Sequence, residues 1–198
     1  MPIAQNNRIG FGNFPKRTGV FMEFSKSQTI KNLRTAFLAE SGAMNEYDFF
    51  ATQAKNEDYQ EVAKTLNKFA LNEKAHAEIW FKLYHGISCT SDNLRSSAEL
   101  ENYERTEMYR DFKKTAEEEG FKDIAELFGQ VAEIEGAHER AYVRLKKDLD
   151  GGKTFESANP ETVWKCLNCG HIHKGNTPPE KCPVCSHPKG FFQKMKNA

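Results

Sequence analysis

Two Glu-x-x-His pairs, Glu73 with His76 and Glu135 with His138, are the strongest chemical signal in the amino-acid sequence. A spacing of three residues places both members of a pair on one face of a helix, one turn apart, so both side chains can point the same way. Carboxylate and imidazole groups together are typical ligands of transition metals. Three more glutamates occupy comparable places in other segments, and they are Glu40, Glu101 and Glu104.

Each of these seven residues interrupts an apolar stripe that has the period of a helix. The first helix is predicted to open at a capping box formed by Ser25 and Gln28. Glycines predict the ends of the later helices, at Gly86, Gly120 and Gly151. The four predicted helices cover approximately residues 25–54, 59–86, 90–120 and 124–151. Helices of similar length favour a bundle, in which the seven donors would converge on one layer.

Several carboxylates in one buried layer would repel one another and lose their hydration, so a cation is expected among them. Mixed oxygen and nitrogen ligands suit iron or manganese. Ferritin-like bundles bind two ions with a Glu from each of two helices and a Glu-x-x-His from each of the other two, and this sequence meets that pattern and adds Glu104.

A single Glu or His in so charged a chain is more commonly a solvated or satisfied residue than a ligand. Two identical Glu-x-x-His units on core stripes favour the di-metal interpretation over that alternative. The glutamates that lie off the stripes are assigned to solvent or surface pairing, and they are Glu99, Glu107, Glu118, Glu133 and Glu139.

Four cysteines form two Cys-x-x-Cys pairs, Cys166 with Cys169 and Cys182 with Cys185. Each pair predicts a tight turn, and two such turns can supply tetrahedral thiolates to one ion. The segment is too short to fold on apolar burial alone, so we expect the metal to support its fold. Spacing leaves the metal open, since zinc would give a structural ribbon and iron a one-electron carrier. The lone Cys89 is predicted to be incidental.

The composition gives little support to several classes of partner. The 198 residues include 28 basic and 28 acidic side chains, which gives no electrostatic reason to expect nucleic acid or an anionic membrane. Apolar runs are only a few residues long, and the amino-terminal segment lacks the apolar centre of a secretory signal, so we expect a cytoplasmic protein. The predicted organisation is a loosely docked extension (1–24), a helical domain (25–150), a linker (151–162) and a four-cysteine domain (163–198).

The motifs resemble the rubrerythrin family over roughly residues 26–193. The segments that carry the resemblance are AESGAMNEY, NEKAH, ELENYERTEMY, EIEGAH, CLNCGHIHKG and CPVCSHPKG. The resemblance implies a mainly α fold, with a ferritin-like four-helix bundle and a small C-terminal rubredoxin-like, metal-bound β domain. It implies a non-haem di-iron peroxidase that reduces hydrogen peroxide to water in oxidative-stress defence, as an NADH peroxidase component. Electrons would come from an iron bound by the four cysteines, which an external donor such as rubredoxin or a reductase would reduce.

Residue roles follow from the resemblance, motif by motif. Glu73 and Glu135 resemble the bridging carboxylates of the two irons. Glu40 and Glu101 resemble terminal ligands, and His138 resembles a fixed histidine ligand.

The resemblance also implies catalytic roles for four of the matched residues. His76 and Glu104 resemble alternative ligands of one iron, exchanged as the redox state changes. Tyr47 and Tyr109 resemble tyrosines beside the metal ligands, although by spacing alone Tyr47 could equally pack in the core. One departure is Ser186, which follows the last cysteine where rubredoxin usually has Gly.

The connection between the second and third helices predicts an assembly. These helices run parallel in the ferritin-like topology, and residues 87–92 are too short, or nearly so, to return along the bundle. We therefore expect a homodimer in which helices one and two pack with helices three and four of a partner chain. Two alternative functions remain open at this point: a ferroxidase or iron-handling protein, and a zinc ribbon for protein or nucleic-acid contact, which the lack of a basic stripe disfavours.

Overall fold

The computed structural model describes residues 23–195. The chain divides into two compact units after Ile87. The first unit contains two helices, α1 (Gln28–Asn56) and α2 (Gln60–Tyr84). The second contains α3 (Thr90–Tyr103), α4 (Tyr109–Glu118), α5 (Lys122–Asp150), and a small sheet of β1 (Val163–Cys166), β2 (Ile172–Lys174) and β3 (Phe192–Lys194).

Helices α1 and α2 form a tight hairpin that packs on small residues. Ala51 and Ala63 are almost completely buried where the helices meet, next to Ala54. Alanine side chains at a crossing let two helix backbones approach closely, which brings the larger side chains of both helices to the sides of the contact. The turn between the helices places Asp58 at φ 64, in the left-handed region.

The start of α1 differs from the sequence prediction. Ser27 caps the helix, because its hydroxyl accepts a hydrogen bond from the backbone N–H of Ile30 at 3.2 Å. Ser25, the predicted cap, lies in a short 3₁₀ turn (Phe24–Lys26) and donates instead to Glu23 at 2.7 Å. The preceding turn contains Ser25 and Lys26, so the helix begins later than the capping-box pattern predicted. The predicted N-terminal extension lies outside the described residues up to position 22.

The third predicted helix is interrupted. Residues Glu104–Met108 form a π-helical turn between α3 and α4, and the backbone N–H of Tyr109 bonds to the carbonyl of Glu104, five residues earlier. A π turn inserts one residue into a helix, and such turns are frequent at functional sites. The turn after α4 contains Gly120 at φ 87, which agrees with the stop predicted there. Helix α5 packs antiparallel against α3 and α4 across this turn, with Ala116 and Ala125 buried.

The carboxyl-terminal strands form an antiparallel sheet with the order β2-β1-β3. Its core consists of Trp164, Cys166, Cys182 and Phe192. The indole N–H of Trp164 donates to the carbonyl of Gly175 at 2.9 Å, so the largest buried side chain in this domain has its polar atom satisfied.

The predicted fold class, mainly α with a small C-terminal β domain, is thus confirmed. The boundaries of the predicted domains stay predictions. None of the helices within residues 23–195 has both the length and the hydrophobicity that a bilayer span requires.

Candidate metal centres

The α1–α2 hairpin brings together three of the predicted ligands, Glu40, Glu73 and His76, which we name the first donor group. Their ligand atoms all lie within 4.8 Å of one another. The ring atom Nδ1 of His76 lies 2.8 Å from Oε2 of Glu73, one helical turn away on α2. Two hydrogen bonds lower the pKa of Glu73, and the one with His76 has a larger effect than the one with Glu40. The lowered pKa favours the carboxylate form, which can bind a cation.

The second unit repeats this arrangement with Glu101 on α3 and the pair Glu135 and His138 on α5, which we name the second donor group. The three ligand atoms again lie within 4.8 Å of one another. Nδ1 of His138 is 2.8 Å from Glu135 and 3.8 Å from Glu101. Burial raises the pKa of Glu101, and its hydrogen bond with Glu135 and the charge of that neighbour raise it further. Two carboxyl groups held this close need a proton or a cation between them.

The two donor groups share one design, in which one helix supplies a Glu and the next supplies a Glu-x-x-His pair. In both groups the carboxylates are partly buried, whereas the side chains of His76 and His138 are 51% and 53% exposed. Three donors leave a transition metal short of its usual ligand number. Each group can therefore contribute to a metal site that further ligands must complete.

Glu104 does not join the second donor group. It is the first residue of the π turn, one helical turn after Glu101. Its side chain is partly buried, and this burial raises its pKa, with a smaller contribution from the charge of Glu135. In the metal-free protein this carboxyl therefore holds a proton to a higher pH than an exposed Glu does.

The two predicted tyrosines lie in different surroundings. Burial raises the pKa of Tyr109, and the nearby charges of Glu104, Glu135 and Glu101 raise it further, so its hydroxyl lies in the field of these carboxylates. Tyr47 is half-buried on α1, seven residues after Glu40. The roles assigned to both tyrosines, to Glu104 and to the individual ligands stay predictions.

Sequence reasoning missed a cross-helix contact beside the second donor group. Glu139, which was assigned to solvent or surface pairing, accepts hydrogen bonds from Arg105 and Asn102 and has only 21% of its side chain exposed. A weak signal was present, because Arg105 follows Glu101 by four residues and Glu139 follows Glu135 by four. Such spacing places each residue beside a ligand, but which charges meet depends on the register of the two helices.

The four cysteines of the C-terminal domain converge on one point. Sγ of Cys166 lies 3.7 Å from that of Cys185, and Sγ of Cys169 lies 3.6 Å from that of Cys182. None of the four is in a disulfide. A tetrahedron of sulfurs with metal bonds of about 2.3 Å has edges of about 3.8 Å, so this spacing fits four thiolates around one ion.

The pKa values of Cys169 and Cys185 are shifted in opposite directions. The N–H of His187 lowers the pKa of Cys185 to about 5, with weaker effects from neighbouring side chains. The N–H of His171 acts in the same direction on Cys169, but burial and the other thiols outweigh it and raise that pKa to about 12. An ion that replaces the shared protons would relieve this imbalance. Ser186 adopts φ 59 in the second turn, the left-handed conformation that Gly would adopt with less strain.

Two Glu-plus-Glu-x-x-His donor groups and a four-thiolate domain in one helical chain match the class of di-iron carboxylate proteins that have an additional four-cysteine iron domain. The family model of rubrerythrin matches residues 31–146, and that of the rubrerythrin rubredoxin-like domain matches residues 164–193. The chain therefore belongs to the rubrerythrin family, an oxidoreductase family with a di-iron site and a rubredoxin-like four-cysteine site. The donor sets described above fit both sites.

Known relatives match over most of their length. Rubrerythrin of Porphyromonas gingivalis is 39% identical over 91% of this chain and 96% of its own. Rubrerythrin of Nitratidesulfovibrio vulgaris is 37% identical over 84% of this chain and 94% of its own. Among solved structures, nigerythrin in its mixed-valence state is 29% identical over 91% of this chain and 90% of its own, with a TM-score of 0.32.

Proposed function

We propose that this protein reduces hydrogen peroxide to water at a di-iron centre and receives electrons through the iron of its four-cysteine domain. The observation that supports this most is the presence, in one chain, of two matching donor groups and a thiolate cluster with tetrahedral spacing. When bound, two ferrous ions supply the two electrons that, with two protons, convert one peroxide into two waters. When bound by the four cysteines, an iron ion would supply electrons one at a time, and an external donor such as rubredoxin or a reductase would reduce it again.

The carboxylates hold and neutralise the metal centre. Glu73 and Glu135, which resemble the bridging carboxylates of the family, are proposed as the bridging ligands. Each lies among the three donors of its group, one turn from a histidine. Glu40 and Glu101 are proposed as terminal ligands, and His138 as a fixed one. Four carboxylates offset the charge of two cations in a partly buried site.

Glu104 and His76 are proposed to alternate as ligands of one iron. A hard carboxylate oxygen favours the ferric state, whereas neutral imidazole favours the ferrous state. Burial raises the pKa of Glu104, which shifts the balance from the carboxylate toward the neutral acid while the side chain is unbound. Binding of this carboxylate to a metal would therefore compete with binding of a proton.

The tyrosines are proposed to supply hydrogen bonds to the oxidant. The pKa of Tyr109 is raised, so its hydroxyl stays protonated at neutral pH and can donate a hydrogen bond to a developing anion. Tyr47 is proposed to do the same from α1.

We also propose a homodimer with exchanged helical hairpins. Glu73 lies eleven residues before the end of α2, and Glu101 lies eleven residues after the start of α3. If α2 and α3 of one chain ran parallel with both glutamates at one level, the connection would have to span about 33 Å, at 1.5 Å per helical residue. The connection between Tyr84 and Thr90 reaches only about 20 Å when fully extended.

Exposed apolar side chains support the same assembly. Val62 and Phe69 on the α2 stripe are 52% and 45% exposed, and Ile124 and Leu145 on the α5 stripe are 46% and 47% exposed. A stripe of this kind is normally covered by another helix. In the proposed dimer, α1 and α2 of one chain pack on α3 to α5 of its partner, and each metal centre takes one donor group from each chain.

Four thiolate ligands favour a reducing compartment, so we place the reaction in the cytoplasm.

Stopped-flow absorbance of the fully reduced, iron-loaded protein tests the function. Mixing with one equivalent of hydrogen peroxide should oxidise the di-iron centre rapidly, and the four-cysteine iron should follow at a rate that sustains turnover. Cys182→Ser should keep the first phase and lose the second, whereas Cys89→Ser, which alters the exposed cysteine outside the cluster, should behave like the parent. Rapid oxidation by oxygen with sluggish oxidation by peroxide would instead identify a ferroxidase.

A further inference from the structure

Arg105, in the π turn after α3, forms hydrogen bonds with Glu139 on α5, next to the second donor group. Atoms Nε and Nη2 of Arg105 donate to Oε2 of Glu139 at 3.1 and 2.8 Å. The amide of Asn102 donates to the other carboxylate oxygen, Oε1, at 2.9 Å. One carboxylate on α5 is thus held by a residue of α3 and by a residue of the π turn.

Gly136 makes room for this arrangement. A Cβ at this position would lie 2.8 Å from Cδ of Arg105, closer than side chains tolerate. Gly136 is buried and follows the ligand Glu135 directly. The arginine side chain therefore packs against α5 at Gly136, where a larger residue would force it to move, directly after the ligand Glu135.

The π turn needs such support because its backbone geometry is less favourable than that of an α-helix. The hydroxyl of Thr106 donates to the carbonyl of Asn102 at 2.7 Å, which satisfies a backbone acceptor where the turn begins. Arg105 anchors the second residue of the turn to the opposite helix. Glu104, the first residue of the turn, therefore lies between two residues that bond to Glu139. These are Asn102, two positions before it, and Arg105, directly after it.

We propose that the Arg105–Glu139 pair, seated over Gly136, is a positioning device that sets the π turn and thereby the reach of the Glu104 carboxylate toward the metal. This inference rests on the ligand role proposed for Glu104. The ion pair of Lys114 and Glu118 differs from this one, because both residues belong to α4 and both side chains are largely exposed. Its Nζ and Oε1 atoms lie 3.7 Å apart. Pairs of that kind contribute little to stability. The Arg105–Glu139 pair joins two helices instead, with two arginine nitrogens donating to one carboxylate oxygen, and so restrains the geometry of one helix relative to the other.

The reduction potential of the di-iron centre in the full-length, iron-loaded protein tests the proposal, with the four-cysteine iron of the same molecule as reference. Arg105→Met keeps the bulk and removes the charged fork, and Glu139→Gln keeps the shape of the partner. Both should weaken the preference for the ferric state at least tenfold, an upward shift of about 59 mV for a one-electron step. The potential of the four-cysteine iron should not change. Arg105→Lys should recover part of the shift, and the matched control Lys114→Met should show none.

Hydrogen exchange of the iron-free protein gives a readout that does not involve metal. Arg105→Met, and also Gly136→Ala, should speed exchange of the amides from Glu104 to Tyr109 about tenfold, while the amides of α2 keep their rates.

A lowered unfolding temperature with unchanged potential and unchanged exchange in the π turn would overturn the proposal, and so would equal shifts at both iron centres. The peroxide reaction of the parent protein is scored separately, so an inactive parent with a shifted potential in the variants would refute the peroxidase function and leave the positioning role intact.

Discussion

Nδ1 of His138 lies 2.8 Å from Oε2 of Glu135, one turn earlier on the same helix. The same distance separates His76 from Glu73 on α2, so the two donor groups present their Glu-x-x-His pairs in the same local geometry. A histidine that contacts a carboxylate in this way is held in one ring orientation before any metal binds. The ligand sets are therefore largely organised by their own helices.

Removal of the Glu135 carboxylate should cost the helical centre its iron. We expect Glu135→Ala to reduce the helical iron from two ions per chain to one or fewer, because a bridging ligand serves both ions, while the four-cysteine iron is retained. Iron content per chain and the visible absorbance of the thiolate-bound iron separate the two sites. Glu133→Ala alters an exposed residue on the same helix and should keep all the iron. Two helical irons in the Glu135 variant would contradict the assigned role.

Periodicity predicted where the chain is helical and pointed to six donor candidates that the structure brings together in two groups. Glu40, Glu101 and the two Glu-x-x-His pairs lie where the apolar stripes are interrupted, and the structure brings each set of three donors within 4.8 Å. This works because a helix fixes which residues share a face, whatever its partners are.

The π turn could not be predicted in the same way. One inserted residue shifts the stripe by a fraction of a turn, which a pattern of alternating three- and four-residue steps absorbs without a visible break. The Arg105–Glu139 pair depends in addition on the register between α3 and α5, and a long flexible side chain can reach several partners. The helix cap was misplaced by two residues, to Ser25 instead of Ser27, because the 3₁₀ turn that precedes α1 has no distinctive sequence.

The iron-free protein should become more stable when Glu101 loses its ionisable group. Burial, with the neighbouring Glu135, raises the pKa of Glu101 above its usual value of 4.5. The folded chain then binds this proton more tightly than the unfolded chain, so the free energy of unfolding falls as pH rises from about 4.5 through the raised pKa. At pH 7, Glu101→Gln should increase that free energy by about 1 kcal/mol, the lower end of the desolvation cost of such a group.

Urea denaturation at several pH values measures this effect. The gain should shrink toward zero below the ordinary pKa, where Glu101 is protonated in both the folded and the unfolded chain. Glu99→Gln, on the exposed side of the same helix, should change little at any pH. A gain that is independent of pH would mean that packing, and not ionisation, explains the result.

Tyr109→Phe should slow oxidation of the reduced di-iron centre by peroxide about tenfold or more, since a positioned proton donor contributes at least that much. Burial and the nearby carboxylates raise the pKa of Tyr109 above 10, so the hydroxyl remains protonated and the difference should be the same at all pH values from about 6 to 9. Tyr103→Phe, an exposed tyrosine on α3, is the matched control. If both variants react at the parent rate, Tyr109 has no part in proton delivery.

Mixed dimers test whether the metal centres are built from two chains. Glu73→Ala disables the first donor group and Glu135→Ala the second, so each variant alone should lack peroxidase activity. If the hairpins are exchanged between chains, a mixed dimer has one centre with both substitutions and one centre with neither. Unfolding the two variants together and refolding them at equal concentration should then restore about one quarter of the parent activity, because about half of the dimers are mixed and each has one intact centre of two. In a dimer whose chains complete their own centres, every centre carries a substitution, and mixing should restore nothing.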